Sequence, residues 1–281
     1  MPPKPWHLVC PSNRGLGHAL TRTLLRTRPE PILATTRSSD ATSLRESLLK
    51  DLPSSCEPRL KIVTGVDVTD EGSVAEAARK ASAYFPPESH RLSCAFALPG
   101  ILRVERSLRD VVVDEAVESF RVNAVGNLVL AKHFFPFLPR RVDRRHRSEE
   151  EDQEKEQEGE GGESSLPHHA TWLSVAARVG STTDNRAGGW FSYRASKAAV
   201  FSLARSLDLA LQASSGPAAI AVAYHPGTVR TDFSRDFWDT VPDEKLFSPE
   251  YAAEKLLQVV WGLNLDQRGR CWDWQGLEVP P

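Results

Sequence analysis

The chain has 281 residues, of which 40% are hydrophobic, and its formal net charge at pH 7 is −2. This length suits one large α/β domain or two small ones, and the apolar content is sufficient for a buried core. A charge so close to zero argues against a nucleic-acid partner or a membrane-surface role, and no apolar run approaches the length of a membrane span.

The cysteines and the N-terminus bear on the cellular compartment. Cys10, Cys56, Cys94 and Cys271 show no C-x-x-C spacing, so neither disulfides nor a metal site is expected. Residues 1–7 lack the apolar core of a signal peptide. These features predict a soluble protein of a reducing compartment, and hence a cytoplasmic location.

The chain opens with a pattern suited to binding a pyrophosphate. Residues 6–10 predict a buried strand, and residues 18–25 show the apolar spacing of a helix. Between them lies the turn Ser12-Asn13-Arg14-Gly15-Leu16-Gly17. A glycine-rich turn between a strand and a helix presents backbone N–H groups at the helix N-terminus, where a dinucleotide pyrophosphate binds.

The second predicted strand, at residues 31–36, ends beside a cation. Enzymes that prefer the unphosphorylated dinucleotide carry an acidic residue at this strand end, which bonds the ribose 2′-hydroxyl. Here Thr36 takes that place and Arg37 follows it. With Arg14 of the glycine turn, Arg37 could bind a 2′-phosphate, which predicts NADP(H) in preference to NAD(H). The alternative is that both arginines are simply solvated.

Apolar runs and helical patterns continue to alternate along the chain. Further strands are predicted to begin at residues 59, 92, 169, 219 and 269, and helices are predicted at 42–52, 70–78, 114–138, 193–207 and from 249 onwards. This alternation predicts a single α/β domain over residues 1–281. We expect a Rossmann-like, three-layer, doubly wound parallel sheet of about seven strands with helices on both faces.

Residues 139–168 interrupt the alternation. The segment starts with a basic stretch and continues, from Ser148 to Glu163, as an almost wholly acidic tract without an apolar residue. A tract with nothing to bury cannot offset the entropy lost on ordering. We therefore predict a disordered charged insertion. It could bind a partner, but an idle solvated loop is the commoner outcome.

The candidate acid lies in the segment Tyr193-Arg194-Ala195-Ser196-Lys197. A phenol and an ammonium four residues apart lie on one face of a helix, and the apolar spacing that follows supports helix formation. A nearby cation stabilises a phenolate, so Lys197 is expected to lower the pKa of Tyr193 toward the range useful for proton transfer.

These motifs together resemble the short-chain dehydrogenase/reductase superfamily. Gly15 and Gly17 match the last two glycines of its T-G-x-x-x-G-x-G pattern, although Pro11 replaces the first glycine. Tyr193 and Lys197 match its Y-x-x-x-K pair. The tract at 178–193 is similar to the carbonyl-reductase-like subgroup that includes the bacterial C-factor proteins.

The resemblance implies further cofactor-binding residues. Asp67 matches the aspartate that contacts the adenine, with Val68 beside it, and Gly100 is the remnant of an N-N-A-G motif. The segment Pro226-Gly227-Thr228-Val229-Arg230-Thr231 matches the family's Pro-Gly-x-Val-x-Thr, in which Pro226, Gly227, Val229 and Thr231 would hold the nicotinamide. Residues 233–247 would form a mobile substrate lid.

The resemblance also implies the catalytic roles. Tyr193 would donate a proton to the carbonyl oxygen, Lys197 would bond the nicotinamide ribose, and Asn123, from an N-x-x-G motif, would anchor a relay water. The family's serine position is occupied by Ala177. Ser174 and Ser181 are the nearest hydroxyls, and Ser174 is the favoured replacement.

The implied activity is NADPH-dependent reduction of a carbonyl in an unidentified small molecule, or the reverse oxidation of an alcohol. The alternative is a non-catalytic NADP(H)-binding interaction or regulatory protein of the same fold. Related proteins often pair through the helices that here follow Asn123 and Tyr193, so a homodimer is a further expectation.

Overall fold

A computed structural model describes residues 2–141 and 169–281. The predicted insertion at 139–168 therefore lies outside the described residues, except for its first three positions. Arg141, the last of these, donates its backbone N–H to the carbonyl of Ser214 at 2.9 Å.

In the described part of the chain, eight strands form one sheet and two short strands form another. The strands are β1 (Lys4–Cys10), β2 (Ile32–Thr35), β3 (Leu60–Val63), β4 (His90–Ala97), β5 (Ala170–Val175), β6 (Ala219–His225), β7 (Thr228–Val229), β8 (Leu246–Phe247), β9 (Cys271–Asp273) and β10 (Glu278–Val279). The large sheet has the order β10-β9-β6-β5-β4-β1-β2-β3, and β7 pairs with β8.

The pairing of these strands confirms the predicted doubly wound sheet. Strands β1 to β6 and β9 run parallel to their neighbours, and only the edge strand β10, which the sequence did not predict, is antiparallel. The chain builds outward from β1 through β2 to β3 and then returns to β4 on the other side of β1. The carboxyl ends of β1 and β4 therefore form the switch point at which such sheets bind ligands.

The described α-helices are α1 (Gly15–Thr27), α2 (Ala41–Leu49), α3 (Glu71–Tyr84), α4 (Val113–Phe120), α5 (Gly126–Phe134), α6 (Phe191–Ser214) and α7 (Pro249–Gly262). Local side-chain caps explain where several of them begin. Asp70 accepts the N–H of Gly72 at α3, and Ser248 accepts the N–H of Tyr251 at α7, as their positions in the sequence predict.

The helices cover both faces of the sheet. Leu33 belongs to an apolar cluster with α3, α5 and α6, whereas its neighbour Ile32 belongs to a second cluster with α1, α2 and α7. Successive residues of a strand point to opposite faces, so a strand covered on both sides is apolar throughout. This explains why the central strands read as continuous apolar runs.

The long helix predicted over residues 114–138 is interrupted at its functional asparagine. A π-helical turn, Arg121–Val125, separates α4 from α5, and a short 3-10 turn, Phe135–Phe137, follows. Gly126 is the first residue of α5, and a side chain is excluded there because any Cβ would lie 2.7 Å from Cγ2 of Val68. Single π-helical turns inside α-helices are frequent at functional sites.

Candidate active site

The glycine turn joins β1 to α1 at the switch point. Ser12 is fully buried and bonds the carbonyl of Val9 through its hydroxyl at 2.8 Å. Gly17 must be glycine because any Cβ would collide with the carbonyl oxygen of Pro11. Pro11 thus replaces the family's first glycine while the close approach at Gly17 is kept.

The turn leaves backbone N–H groups available at the start of α1. Asn13 and Arg14 are exposed, whereas Gly15 and Leu16 are half-buried. Arg14 is the N-cap residue but forms no side-chain cap within the described residues, unlike Asp70 at α3. An uncapped helix N-terminus next to close-packed glycines suits a phosphate.

The end of the site that would hold the adenosine lies beyond β2 and β3. Arg37 is exposed and Asp67 is half-buried. The carboxylate of Asp67 accepts the backbone N–H of Thr69 at 2.9 Å and its hydroxyl at 2.8 Å. The bond from the Thr69 N–H is the largest influence lowering the pKa of Asp67, and Arg37 and Arg121 act in the same direction. Asp67 is therefore an ionised acceptor at neutral pH.

The candidate acid and its lysine are both buried on α6. Tyr193 is 5% exposed and Lys197 is 2% exposed. The ammonium Nζ donates to the carbonyl of Val175, the last residue of β5, at 2.9 Å, and lies 5.9 Å from the centre of the Tyr193 ring. The turn after β5 lies so close to this helix that a Cβ on Gly180 would be 2.7 Å from the carbonyl carbon of Lys197.

Burial determines the protonation of this pair. It lowers the pKa of Lys197 from 10.5 to about 8 and raises the pKa of Tyr193 well above its ordinary value. The expected lowering of the tyrosine pKa by Lys197 is thus outweighed by desolvation of the phenol. At neutral pH the lysine carries a charge and Tyr193 retains its proton, so Tyr193 can act as a proton donor.

Asn123, at the centre of the π-helical turn, connects two parts of the site. Its side-chain oxygen accepts the N–H of Ile101 at 2.8 Å, and its amide donates to the Ser196 hydroxyl at 2.9 Å. Gly100 lies beside it, since a Cβ on Gly100 would be 3.5 Å from the Asn123 oxygen and 3.4 Å from Nζ of Lys197. The structure therefore brings Gly100, Asn123 and Lys197 together.

The loop after β6 closes on the glycine turn. A Cβ on Gly15 would be 3.2 Å from the Thr231 methyl, so these two predicted cofactor residues are neighbours. Pro226 and Gly227 are half-buried, and Val229 is buried in β7. The predicted pyrophosphate and nicotinamide segments therefore meet at one edge of the sheet.

The predicted lid follows this loop and carries aromatic side chains over the site. Residues Asp232–Thr240 form a 3-10 helix, and β8 returns to pair with β7. The ring centres of Phe233 and Tyr193 are 6.2 Å apart, and those of Trp190 and Phe237 are 4.8 Å apart. Trp190 also packs edge-on against Tyr193 at 6.2 Å. An aromatic wall thus surrounds the candidate acid.

Two buried polar residues near the site were not predicted from the sequence. Glu105 is buried and accepts the N–H of Ser192, in the first turn of α6, at 2.7 Å. Asn127 is also buried and donates its amide to the carbonyl of Asn123 at 2.7 Å. Both contacts depend on how separate segments or successive helical turns are packed, so residue type alone could not reveal them.

Ala177 leaves the family's serine position without a hydroxyl, and we call this the vacant serine position. The two serine hydroxyls nearest to it have other partners. The Ser174 hydroxyl is fully buried and accepts the indole N–H of Trp172 at 3.2 Å. The Ser181 hydroxyl accepts the backbone N–H of Asp184 at 3.0 Å. No hydrogen bond joins either hydroxyl to Tyr193 within the described residues. The assignment of a catalytic role to Ser174 stays a prediction.

Residues 2–141 and 169–281 show neither a cluster of metal ligands nor a membrane-spanning helix. They contain no group of three or more His, Cys, Asp and Glu side chains that could hold a metal ion. None of their helices has the length and apolar character required to cross a membrane.

The fold and this site define a dinucleotide-binding α/β protein with a buried tyrosine and lysine at its switch point, and sequence comparison identifies the family. No protein-family model matches the chain. The C-signal protein of Myxococcus xanthus is 30% identical over 174 residues, which is 62% of this chain and 83% of that protein. The chain belongs to the short-chain dehydrogenase/reductase superfamily.

Other relatives extend the similarity over the whole chain. The 1-hydroxy-2-glutathionyl-2-methyl-3-butene dehydrogenase of Rhodococcus sp. strain AD45 is 26% identical over 264 residues, 94% of this chain and 93% of that protein. The NADPH-bound carbonyl reductase from chicken fatty liver is 25% identical with a TM-score of 0.75, covering 99% of this chain and 100% of that one. The carbonyl reductase Sniffer of D. melanogaster has the same TM-score at 20% identity, covering 99% of both chains.

Proposed function

We propose that this protein is an NADPH-dependent oxidoreductase that reduces the carbonyl group of a small molecule, or oxidises the corresponding alcohol. The observation that carries the proposal is the convergence of Tyr193, Lys197, Asn123 and Gly100 next to the glycine turn. A protein that only binds a dinucleotide has no need of a buried acid beside the position of the nicotinamide.

The residues present fit a nicotinamide dinucleotide. The uncapped start of α1 and the close approach at Gly17 suit the pyrophosphate, and the loop from Pro226 to Thr231 lies beside the same turn. When bound, the cofactor supplies the hydride chemistry. The protein positions the substrate and controls the proton.

The proton would come from Tyr193. Its phenol is protonated at neutral pH because burial raises its pKa, and it would give this proton to the carbonyl oxygen as negative charge develops there. The phenolate left behind would be stabilised by the charged Lys197, which the carbonyl of Val175 holds in place. Asn123 would fix the loop at Ile101 against the helix that carries Tyr193, because its side chain bonds both Ile101 and the Ser196 hydroxyl.

Selectivity for the phosphorylated cofactor would come from two arginines. Arg14 and Arg37 are exposed next to the ends of β1 and β2, and Thr36 occupies the position of the acid that would favour NAD(H). Guanidinium groups bind phosphate through paired charge-assisted hydrogen bonds. The chicken carbonyl reductase similar to this chain is bound to NADPH, which supports the same choice here.

The activity can be tested by following NADPH oxidation with a panel of aldehydes, ketones and quinones. We expect turnover of at least one member, and we expect Tyr193→Phe to abolish turnover while NADPH still binds, because the phenol oxygen is the proton donor but only one of several cofactor contacts. An unmodified protein that binds NADPH but reduces no member of the panel would contradict the proposal.

That negative result would favour the second candidate, a non-catalytic NADP(H)-binding interaction protein. Two observations favour it: Ala177 provides no hydroxyl, and α4 presents exposed apolar side chains. Val113 is 72% exposed and Val117 is 59% exposed on this helix. A partner protein would find apolar surface there.

A further inference from the structure

The vacant serine position leaves the proposed reaction without one hydrogen-bond donor. Preorganised donors at the oxygen where charge develops are usually a large part of catalysis. Ala177 ends in a methyl group, and the hydroxyls of Ser174 and Ser181 have partners in their own segments. Another potential donor at this edge of the sheet is the imidazole of His225.

His225 is the last residue of β6 and lies next to the vacant position. Ala176 donates its N–H to the carbonyl of Tyr224 at 2.8 Å, which in a parallel pair places Ala176 beside His225. Ala177 is the next residue of the chain, two positions beyond the end of β5. The carbonyl one residue before Ala176, that of Val175, accepts the bond from Lys197. His225 and Lys197 therefore flank the same short stretch of chain.

The imidazole faces the catalytic helix. Alternate residues of a strand share a face, and Ala223, two positions before His225, packs with Val200 and Ala204 of α6 in one apolar cluster. Lys197 is one helical turn before Val200. Its charge is close enough to influence the protonation of His225, as are those of Arg178 and Asp273.

The ring also has unused hydrogen-bonding capacity. Its Nδ1 atom is buried and has no hydrogen-bond partner in the described residues, so a substrate oxygen could not reach it. The residue as a whole is half-buried, and Nε2 is the nitrogen that a substrate could reach. Burial, reinforced by the positive charges of Arg178 and Lys197 and opposed by Asp273, lowers the pKa of His225 to about 4. At neutral pH the ring is uncharged, with one nitrogen as donor and the other as acceptor.

We propose that His225 donates a ring N–H hydrogen bond to the carbonyl oxygen of the substrate, in place of the serine hydroxyl that Ala177 lacks. The inference rests on the proposed function. It involves no transfer of a proton by His225, because the proton comes from Tyr193. An uncharged imidazole suits this role since it can polarise a carbonyl while keeping its proton.

Two substitutions distinguish loss of the hydrogen-bond donor from a change in side-chain packing. His225→Phe keeps a ring of similar size and removes both nitrogens, whereas His225→Gln keeps an N–H donor. With NADPH and 4-nitrobenzaldehyde or 9,10-phenanthrenequinone as probes, we expect His225→Phe to lower kcat on the order of a hundredfold. The dissociation constant of NADPH should remain unchanged, and His225→Gln should retain more activity than His225→Phe.

A rescue variant makes the test specific. Adding Ala177→Ser to His225→Phe should restore kcat by about tenfold or more, because a hydroxyl then returns to the serine position. His90→Phe is the matched control and should leave kcat unchanged. His90 is the first residue of β4 and so lies at the amino-terminal end of the parallel strands, away from the candidate site. A purely structural role for His225 would give no rescue.

Three results would overturn the proposal. If His225→Phe retains full kcat in an active enzyme, the donor is elsewhere. If Ser174→Ala alone causes the hundredfold loss, the donor is Ser174. If the double variant binds NADPH normally but shows no rescue, His225 does not replace the serine. An unmodified protein that reduces neither these probes nor the wider panel would overturn the proposed function together with this inference.

Discussion

Replacing Lys197 by methionine should make the ligand-free protein more stable while removing its activity. The lysine is 2% exposed, and the hydrogen bond from its ammonium to the Val175 carbonyl is the main compensation for burying a charge. Methionine has a similar length and an apolar, adaptable side chain. Catalytic sites often retain such unfavourable groups at the expense of stability.

The size of the effect follows from the pKa of Lys197. Burial lowers this pKa from 10.5 to about 8, and at about 1.4 kcal/mol per pKa unit the charged form is disfavoured by about 3 kcal/mol. Loss of the donor to the Val175 carbonyl costs about 1–2 kcal/mol in return. Lys197→Met should therefore raise the free energy of unfolding at pH 7 by about 1–2 kcal/mol, which corresponds to a rise in Tm of about 2–6 °C.

The decisive assay is the pH dependence of the difference in unfolding free energy between Lys197→Met and the unmodified protein. Between pH 8 and 10.5 the unfolded chain keeps the Lys197 proton that the folded protein has lost, so the stability of the unmodified protein rises with pH relative to the variant. The advantage of Lys197→Met, measured by urea unfolding without cofactor, should be complete below about pH 8 and fall to zero near about pH 9. Above about pH 10.5 it should become a disadvantage of about 1–2 kcal/mol, because the unmodified protein then no longer buries a charge and keeps its bond to Val175. A variant less stable than the unmodified protein at pH 7, or a difference independent of pH, would refute the reasoning.

The remaining predictions concern the cofactor and the insertion. Arg37→Asp should shift the ratio of dissociation constants toward NADH, because it removes one cation from the 2′-phosphate position and introduces an acid suited to a ribose hydroxyl; equal dissociation constants for NADPH and NADH in the unmodified protein would contradict this. Replacing residues 142–165 with a short Gly/Ser linker should change Tm and NADPH affinity little, because the acidic tract has no apolar side chain to bury. Arg141 is kept because its backbone N–H bonds Ser214. A large fall in Tm would show that the replaced segment packs against the domain.

Much of the site was predictable because its signals are local. The spacing of Tyr193 and Lys197 places both on one helical face, and the strand, glycine turn and helix at residues 6–25 predict the phosphate site without reference to the rest of the chain. The caps at Asp70 and Ser248 were predictable for the same reason, since a cap bonds an N–H two or three residues away. The doubly wound parallel sheet was predictable from the alternation of elements together with the resemblance.

Only the tertiary structure decided the environment of these residues. The partner of the Lys197 ammonium is a carbonyl 22 positions away, and the exclusion of water from Tyr193 reverses the expected direction of its pKa shift. His225 is the last residue of an ordinary buried strand, and only the pairing of β5 with β6 places it beside the vacant serine position. Desolvation and long-range hydrogen bonds depend on which segments pack together, so the residue sequence determined which chemical groups are present and the fold determined their protonation and partners.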